Sequence, residues 1–281
     1  MSMLFTRRTL GVAALSAVSL ALLPASPAFG AETVEVNSLN GKNQPVKVTV
    51  PKDPKRIAIA DYAVLDTLDH WGLAKDRIVA LTQTTALPYL PEYFKKSPKM
   101  RNIGTLKEID FEGLMAAEPD VIFISGRLQK KYDELSKIAP VVYMTIDRTK
   151  GTFESFAENH MNLAKIFGKE AEAKADIAHF EGRIEKIRKA SEGKTAIVSL
   201  VTSSHVNLLG SQARCAIISN EFGFKNVAQD VLKNEIVDRT KAKKEGHIVY
   251  LSPAAWYLAE GGYTSLEIQF KDVEKALGLA Q

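Results

Sequence analysis

Four consecutive apolar residues, Val121-Ile122-Phe123-Ile124, constrain the fold of this chain more than any other stretch. Glu118-Pro119-Asp120 leads into them and Ser125-Gly126-Arg127 follows. So short and uniformly apolar a run, entered at a proline, reads as a buried strand. The same short apolar runs recur at Ile57–Ala60, Ile78–Leu81 and 140–143, and helical segments separate them. Over 62–71, Val64, Leu65, Leu68 and Trp71 fall on one helix face, with Gly72 as the C-cap. A short helix ends near Glu118, another spans 131–138, and the three prolines of 87–99 mark a loop. Strands alternating with helices form an open parallel sheet, so the class is α/β. A polar stretch comes before Asp53-Pro54-Lys55-Arg56, where the ordered part is expected to open.

From 153 to 190 there is no proline and no strand signal. Phe153, Phe156, His160, Leu163 and Phe167 share a face, and Ile177, Phe180, Ile184 and Ile187 repeat at helical spacing. One long helix, or two broken at Gly168, is expected to join two halves and to limit their relative movement to small angles. A single rod of this length would reach roughly 55 Å. A second alternating half follows: strands over 195–201, Val206–Leu209 and 247–251, and helices over 217–222, 229–244 and 265–277. The expected organisation is an export signal over 1–30, a first α/β lobe over 31–150, the connector over 151–190 and a second lobe over 191–281.

The N-terminus indicates the compartment. Arg7-Arg8 precedes an apolar run over 11–23, and small residues close the segment at Ala28 and Gly30. That is the order of an export signal, and the run is shorter than the roughly 20 residues a membrane span needs. The adjacent arginines suggest the twin-arginine route, which carries folded proteins. No cysteine near the cleavage region offers a lipid attachment site, so the mature chain is expected free in the periplasm. Net charge is +4, and removing Arg7 and Arg8 leaves +2, too weak to suggest nucleic acid or a membrane surface as partner. Cys215 is the sole cysteine and reads as a small buried hydrophobe.

Several stretches carry a family resemblance: Pro54-Lys55-Arg56-Ile57, Ile103-Gly104, Glu118 through Arg127, Asn207-Leu208-Leu209-Gly210, Arg214-Cys215-Ala216-Ile217-Ile218, and Ile248 through Leu258 with its Trp256-Tyr257-Leu258. Together they resemble the substrate-binding proteins of ABC importers for ferric siderophores, in the branch taking catecholates such as enterobactin and petrobactin. The resemblance covers nearly all of the chain after residue 30. It implies two Rossmann-like lobes joined by a long connecting helix, the class III periplasmic binding protein type. It also implies capture of a ferric siderophore without catalysis, no intrinsic cofactor, delivery to an inner-membrane ABC permease, and a monomer. The chain departs from the pattern in its second half. Phe222-Gly223-Phe224-Lys225-Asn226-Val227-Ala228 runs almost directly into the helix at Gln229, with no counterpart of the 118–127 stretch. About one βαβ unit, roughly 30 residues or more, is absent. With it go the histidine ligand and the further arginine that relatives place there, and His247 is not an equivalent. The second sheet is therefore expected to be incomplete.

A ferric catecholate presents anionic oxygens, and fixed guanidinium groups in a cleft suit them. Arg127 follows a strand's C-terminal end, where open α/β sheets form ligand crevices, and Arg214 follows the Gly210-Ser211 turn. An ion pair to an acid of the adjoining helix is the competing reading for Arg214. The resemblance makes Tyr257 the candidate iron ligand, its phenolate favoured by a trivalent cation, against a tyrosine that merely packs beside Trp256. Tyr62 and Lys107 are further candidates for the first lobe's side of the cleft. The same fold with haem, cobalamin or another metal chelate is the nearest alternative; a chain that no longer binds, because its second lobe is short, is another. Ser203-Ser204-His205 lacks an acid to orient the histidine, which argues against a Ser/His hydrolase. His70, His160 and His179 lack metal-ligand spacing and read as surface or internally satisfied histidines.

Overall fold

The protein is described from a computed structural model over residues 32–201, 206–210, 213–226 and 248–279. The expected export signal, Ser203-Ser204-His205, Ser211, the helix over 229–244 and His247 lie outside those residues.

The first structural element is one that the sequence reading did not anticipate. Strands β1 (Thr33–Leu39) and β2 (Pro45–Pro51) pair antiparallel through all seven positions, in place of the expected polar stretch. Valines at every second position, Val34 and Val36 against Val46, Val48 and Val50, carry that pairing, with Val36 and Val50 buried.

The expected parallel sheet follows. Its strands are β3 (Ile57–Ala60), β4 (Ile78–Leu81), β5 (Arg101–Asn102), β6 (Val121–Ile124) and β7 (Val141–Tyr143), in the order β5-β4-β3-β6-β7. All neighbours are parallel. Strands β3 and β6 are buried at every position, as central strands covered on both faces must be. From β3 the chain runs outward to β4 and β5, then returns to β6 and runs outward the other way to β7. The order therefore reverses between β3 and β6, and crevices in open sheets form outside the C-terminal ends of such a strand pair. The helices here are short. Helix α1 (Tyr62–His70) starts from Asp61, whose side chain accepts from the Ala63 N–H, and α2 (Phe111–Ala116) starts from Asp110. A 3-10 turn (Gly126–Lys131) leads into α3 (Tyr132–Leu135), which is shorter than the helix expected over 131–138.

The connector is two helices, not one rod. Helix α4 (Thr152–Phe167) ends at Gly168, which adopts the left-handed conformation at φ +65°, and α5 (Glu170–Ala190) starts just after it. A left-handed residue breaks the helical hydrogen-bond ladder, and glycine adopts it at no steric cost. The two helices pack on each other instead of extending in line.

Beyond α5 the described strands form only two-stranded pairs. Strand β8 (Thr195–Ala196) pairs parallel with β11 (Lys225–Asn226), and β9 (Val198–Val201) antiparallel with β10 (Val206–Leu209). Helix α6 (Ile217–Asn220) lies between β10 and β11. The strand expected over 247–251 does not form in its described part: residues 248–252 have no regular structure, and Tyr250 is 90% exposed. An apolar run becomes a strand only when a neighbour offers a ladder, and none of the described strands pairs with it. One π-helical turn (Ala254–Leu258) and helix α7 (Tyr263–Ala276) complete the fold.

Helices cover what the small strand pairs cannot. Phe156, Phe180, Phe222, Trp256 and Phe270 form a buried cluster with Ile217 and Leu266. Asp66 of α1, fully buried, accepts from the Thr264 N–H at 2.6 Å, the Ser265 N–H at 2.9 Å and the Tyr89 hydroxyl at 3.0 Å. It thus caps α7 from across the molecule, where N–H groups of a first turn lack partners. Burial pushes its carboxyl up to about 6 despite those donors. None of the helices among the described residues is long and apolar enough to cross a membrane.

Candidate ligand-binding site

Two arginines far apart in sequence converge on one peptide oxygen. Arg127, in the 3-10 turn at the end of β6, donates from Nη2 to the Tyr257 carbonyl at 3.2 Å. Arg214 donates from Nη1 to the same oxygen at 2.8 Å. That oxygen is available because the π-helical turn widens the chain at this point: Ala259 N–H reaches back five residues to Ala254, and Tyr257 lies inside the turn. Both guanidinium groups also lie over the Tyr257 ring, Arg214 at 4.3 Å from its centroid and Arg127 at 5.8 Å. Such cation–ring contacts are attractive. Tyr257 remains 38% exposed, while its neighbour Trp256 is buried and donates to Asp272 of α7 at 2.8 Å. The turn is thereby anchored on the tryptophan side and open on the tyrosine side.

Acidic groups stand behind the cations. Arg214 is ion-paired with Glu260 at 3.0 Å, so the competing reading for this arginine holds in part, with the acid just past the π-helical turn. Glu260 also receives Arg148 Nη2 at 2.5 Å, and Arg148 Nε donates to the Ala213 carbonyl at 2.9 Å. Asp61 sits at the C-terminal end of β3, at the sheet's reversal point, across from the end of β6 that carries Arg127. Burial pushes its carboxyl up to about 6, and the Ala63 N–H and the charges of Arg127 and Arg214 act in the opposite direction. Arg127 is shifted downward, first by burial and then by Arg214. Asp61 and Glu260 share the wall of a small cavity of about 30 Å³ with His160 and Thr67. Arg127, by contrast, meets no carboxylate within ion-pair distance among the described residues, and Asp61 and Glu260 act on its charge only from further away.

Of the five residues expected from sequence, Arg127, Arg214 and Tyr257 come together. Tyr62 does not join them. Its side chain is fully buried in the first half's core, its hydroxyl donates to the Thr82 carbonyl at 3.0 Å and accepts from the Thr84 N–H, and it offers nothing to a cleft. Sequence placed it one position too far: the group at the strand end is Asp61, the helix cap, and the first helical residue points into the core. Lys107 is exposed on the loop after β5, and its side chain takes no part in the contacts that join the other three. Sequence reasoning passed over Asp61, Arg148 and Glu260. Only Asp61 had a signal, its place directly after a buried strand.

The histidines have structural roles. His160 Nε2 meets Asp176 at 2.8 Å, His70 Nε2 meets the same carboxylate at 3.1 Å, and the Trp71 indole N–H donates to it at 3.0 Å. Burial alone would raise Asp176, but these bonds hold it well below the usual carboxylate range. His179 lies beside Glu267 and Arg183. Among the described residues no group of three or more His, Cys, Asp or Glu side chains could hold a metal ion. Cys215 is buried, and burial pushes its thiol up to about 12, as expected for an inert side chain.

Known proteins share this arrangement of sheet and helices. The petrobactin-binding protein YclQ of Bacillus subtilis is 31% identical over an aligned span that covers 81% of this chain and 84% of the relative. Its crystal structure superposes with a TM-score of 0.77, over 87% of this chain and 99% of that one at 28% identity. The catecholate-siderophore binding protein VctP of Vibrio cholerae superposes at 0.76, over 87% of this chain and all of the other, at 26% identity. The span aligned with YclQ has 271 positions, whereas 81% of 281 residues is about 228. About 43 positions of the relative therefore lack a counterpart here, enough for the absent βαβ unit. A family model described as periplasmic binding protein matches residues 57–229. The chain belongs to the periplasmic binding protein family, a group of substrate-binding proteins with an α/β fold of the class III type.

Proposed function

We propose that this chain captures a ferric siderophore of the catecholate class outside the cytoplasm and hands it to an inner-membrane ABC importer. The observation that carries this reading is the convergence of Arg127 and Arg214 on Tyr257 at the sheet's reversal point. Two guanidinium groups above an exposed phenol suit an anionic chelate with oxygen donors around a hard cation. The names of the relatives point the same way: YclQ binds petrobactin, VctP a catecholate siderophore, and FatB of Vibrio anguillarum ferric anguibactin.

In this reading the chain binds and releases without catalysis. Residues 31–150 and 191–281 act as two lobes, linked by 151–190, and the paired helices α4 and α5 restrict them to a modest closure. Tyr257 supplies a phenolate oxygen to the iron of the cargo, and Arg127 and Arg214 neutralise the ligand oxygens. No histidine is assigned to iron. Residues 1–30 direct export by the twin-arginine route, and the mature monomer works in the periplasm.

The test is a spectroscopic titration of the chain from residue 31 onward with a ferric catecholate, with haem and cobalamin as competitors. A charge-transfer band that shifts on binding and changes in Tyr257→Phe is the expected result. Arg127→Ala and Arg214→Ala should each weaken binding by about 10- to 100-fold. Absence of binding at micromolar concentration, or a preference for haem or cobalamin, overturns the proposal.

A further inference from the structure

Glu260 is the most heavily engaged acid near the crevice. Its side chain is 5% exposed, and one oxygen, Oε2, serves both Arg148 at 2.5 Å and Arg214 at 3.0 Å. Its other oxygen accepts from the Cys215 N–H at 3.4 Å. Arg148 in turn holds the Ala213 carbonyl. Residues 213, 214 and 215 are therefore each gripped by Glu260 directly or through Arg148. The backbone here needs that support, since Cys215 lies at φ +64°, a conformation that side chains other than glycine rarely adopt. Arg214 and Arg148 are like charges sharing one acceptor, so removing the acceptor's charge leaves them repelling each other.

We infer that Glu260 is the positioning residue of the crevice: through its shared carboxylate it holds Arg214 over the Tyr257 ring and on the Tyr257 carbonyl. This assignment rests on the proposed anion-binding role of Arg214 for its functional meaning. Without Glu260 the Arg214 guanidinium swings towards water, away from Arg148, and the π-helical turn loses one of the two donors on its free carbonyl. Glu260 itself never meets the ligand. It acts through Arg214, so its effect on binding vanishes when Arg214 is absent.

Two measurements test this on the chain from residue 31 onward. The first needs no ligand: labelling by phenylglyoxal, which modifies accessible guanidinium groups, read at Arg214 by peptide mass spectrometry. Glu260→Gln should raise the Arg214 labelling rate several-fold, and Glu260→Asp, which keeps the charge on a shorter arm, should give a rate between the two. The second is affinity for the ferric complex of 2,3-dihydroxybenzoate, read by tryptophan fluorescence. Glu260→Gln should weaken it about tenfold in the parent chain and have no further effect in Arg214→Ala. An equal loss in both backgrounds, or unchanged labelling and affinity, overturns the inference. Should Glu260→Gln fail to melt cooperatively, Glu260→Asp decides alone, because its shorter arm must give intermediate labelling and unchanged labelling refutes the role. Should the parent chain bind no ferric catecholate, the proposed function fails, and the labelling result still decides whether Glu260 positions Arg214.

Discussion

Asp61→Asn separates the cost of a buried charge from the structure around it. Asparagine keeps the side-chain oxygen that caps α1, so the helix start is preserved. It removes a carboxyl that is 8% exposed and pushed up to about 6 from an ordinary 3.8. Well below pH 3.8 this carboxyl is protonated in both the folded and unfolded chain and costs nothing. As the pH rises from about 3.8 to about 6, the unfolded chain releases the proton more readily and the folded state loses stability; above 6 both are ionised and the loss stays constant. The gap between the two values amounts to about 3 kcal/mol at pH 8, falling to about 0.5 kcal/mol at pH 4. For a chain of this size about 3 kcal/mol corresponds to roughly 6–12 °C in Tm. Relaxation around Asp61 makes that an upper figure. Differential scanning calorimetry of parent and variant from pH 4 to pH 8 gives the comparison. The variant should melt several degrees higher at pH 8, with the difference nearly constant down to about pH 6 and shrinking from there towards pH 4. A difference that stays constant with pH, or a variant that melts lower at pH 8, refutes the reasoning, because Asp61 would then be stabilised by its arginine neighbours more than it is penalised by burial.

Three further outcomes follow from the packing. Phe270→Ala removes a fully buried ring from the aromatic cluster around Phe180 and Phe222, and should cost about 3–5 kcal/mol in urea unfolding. Gly262→Ala would bring a Cβ to 2.7 Å from both Cβ and Cγ of Asp66 and should cost about 1–3 kcal/mol, with the loss relieved in Asp66→Gly/Gly262→Ala relative to additivity. Asp176→Asn should destabilise by about 2–4 kcal/mol at pH 7. The carboxyl of Asp176 is held below its ordinary value, so its contribution is present above pH 4 and disappears as the pH falls. The parent and the variant should thus converge in acid-unfolding curves.

The first half was legible because each of its strands is a separate apolar run between recognisable breaks. Ile57–Ala60, Ile78–Leu81 and Val121–Ile124 form as expected, and Gly168 breaks the connector where a glycine in a helical pattern would. The β1–β2 pair went unread because its valines alternate with polar residues and the stretch looks polar on average. Residues 248–251 misled for the opposite reason: their composition suits a strand, but pairing depends on neighbours that sequence does not display. At the site, Arg127 and Arg214 were visible from position and resemblance. Tyr62 stays apart from the other three because its buried hydroxyl is held by Thr82 and Thr84 in the core. Glu260 and Arg148 carry no local pattern at all; they matter only because α4's approach and the π-helical turn bring 148, 214 and 260 together.

The bond from Asp66 to the start of α7 spans 198 residues of chain. Closing so long a loop is entropically slow, and until it closes, a carboxylate of the first helix faces an apolar interior without its donors. Synthesis must therefore run nearly to the last helix before the opening portion reaches its native state. A chain sent across a membrane already folded would have this late docking as its point of commitment, and a ribosome stalled short of residue 263 would release a product with its earliest helix still waiting for a cap.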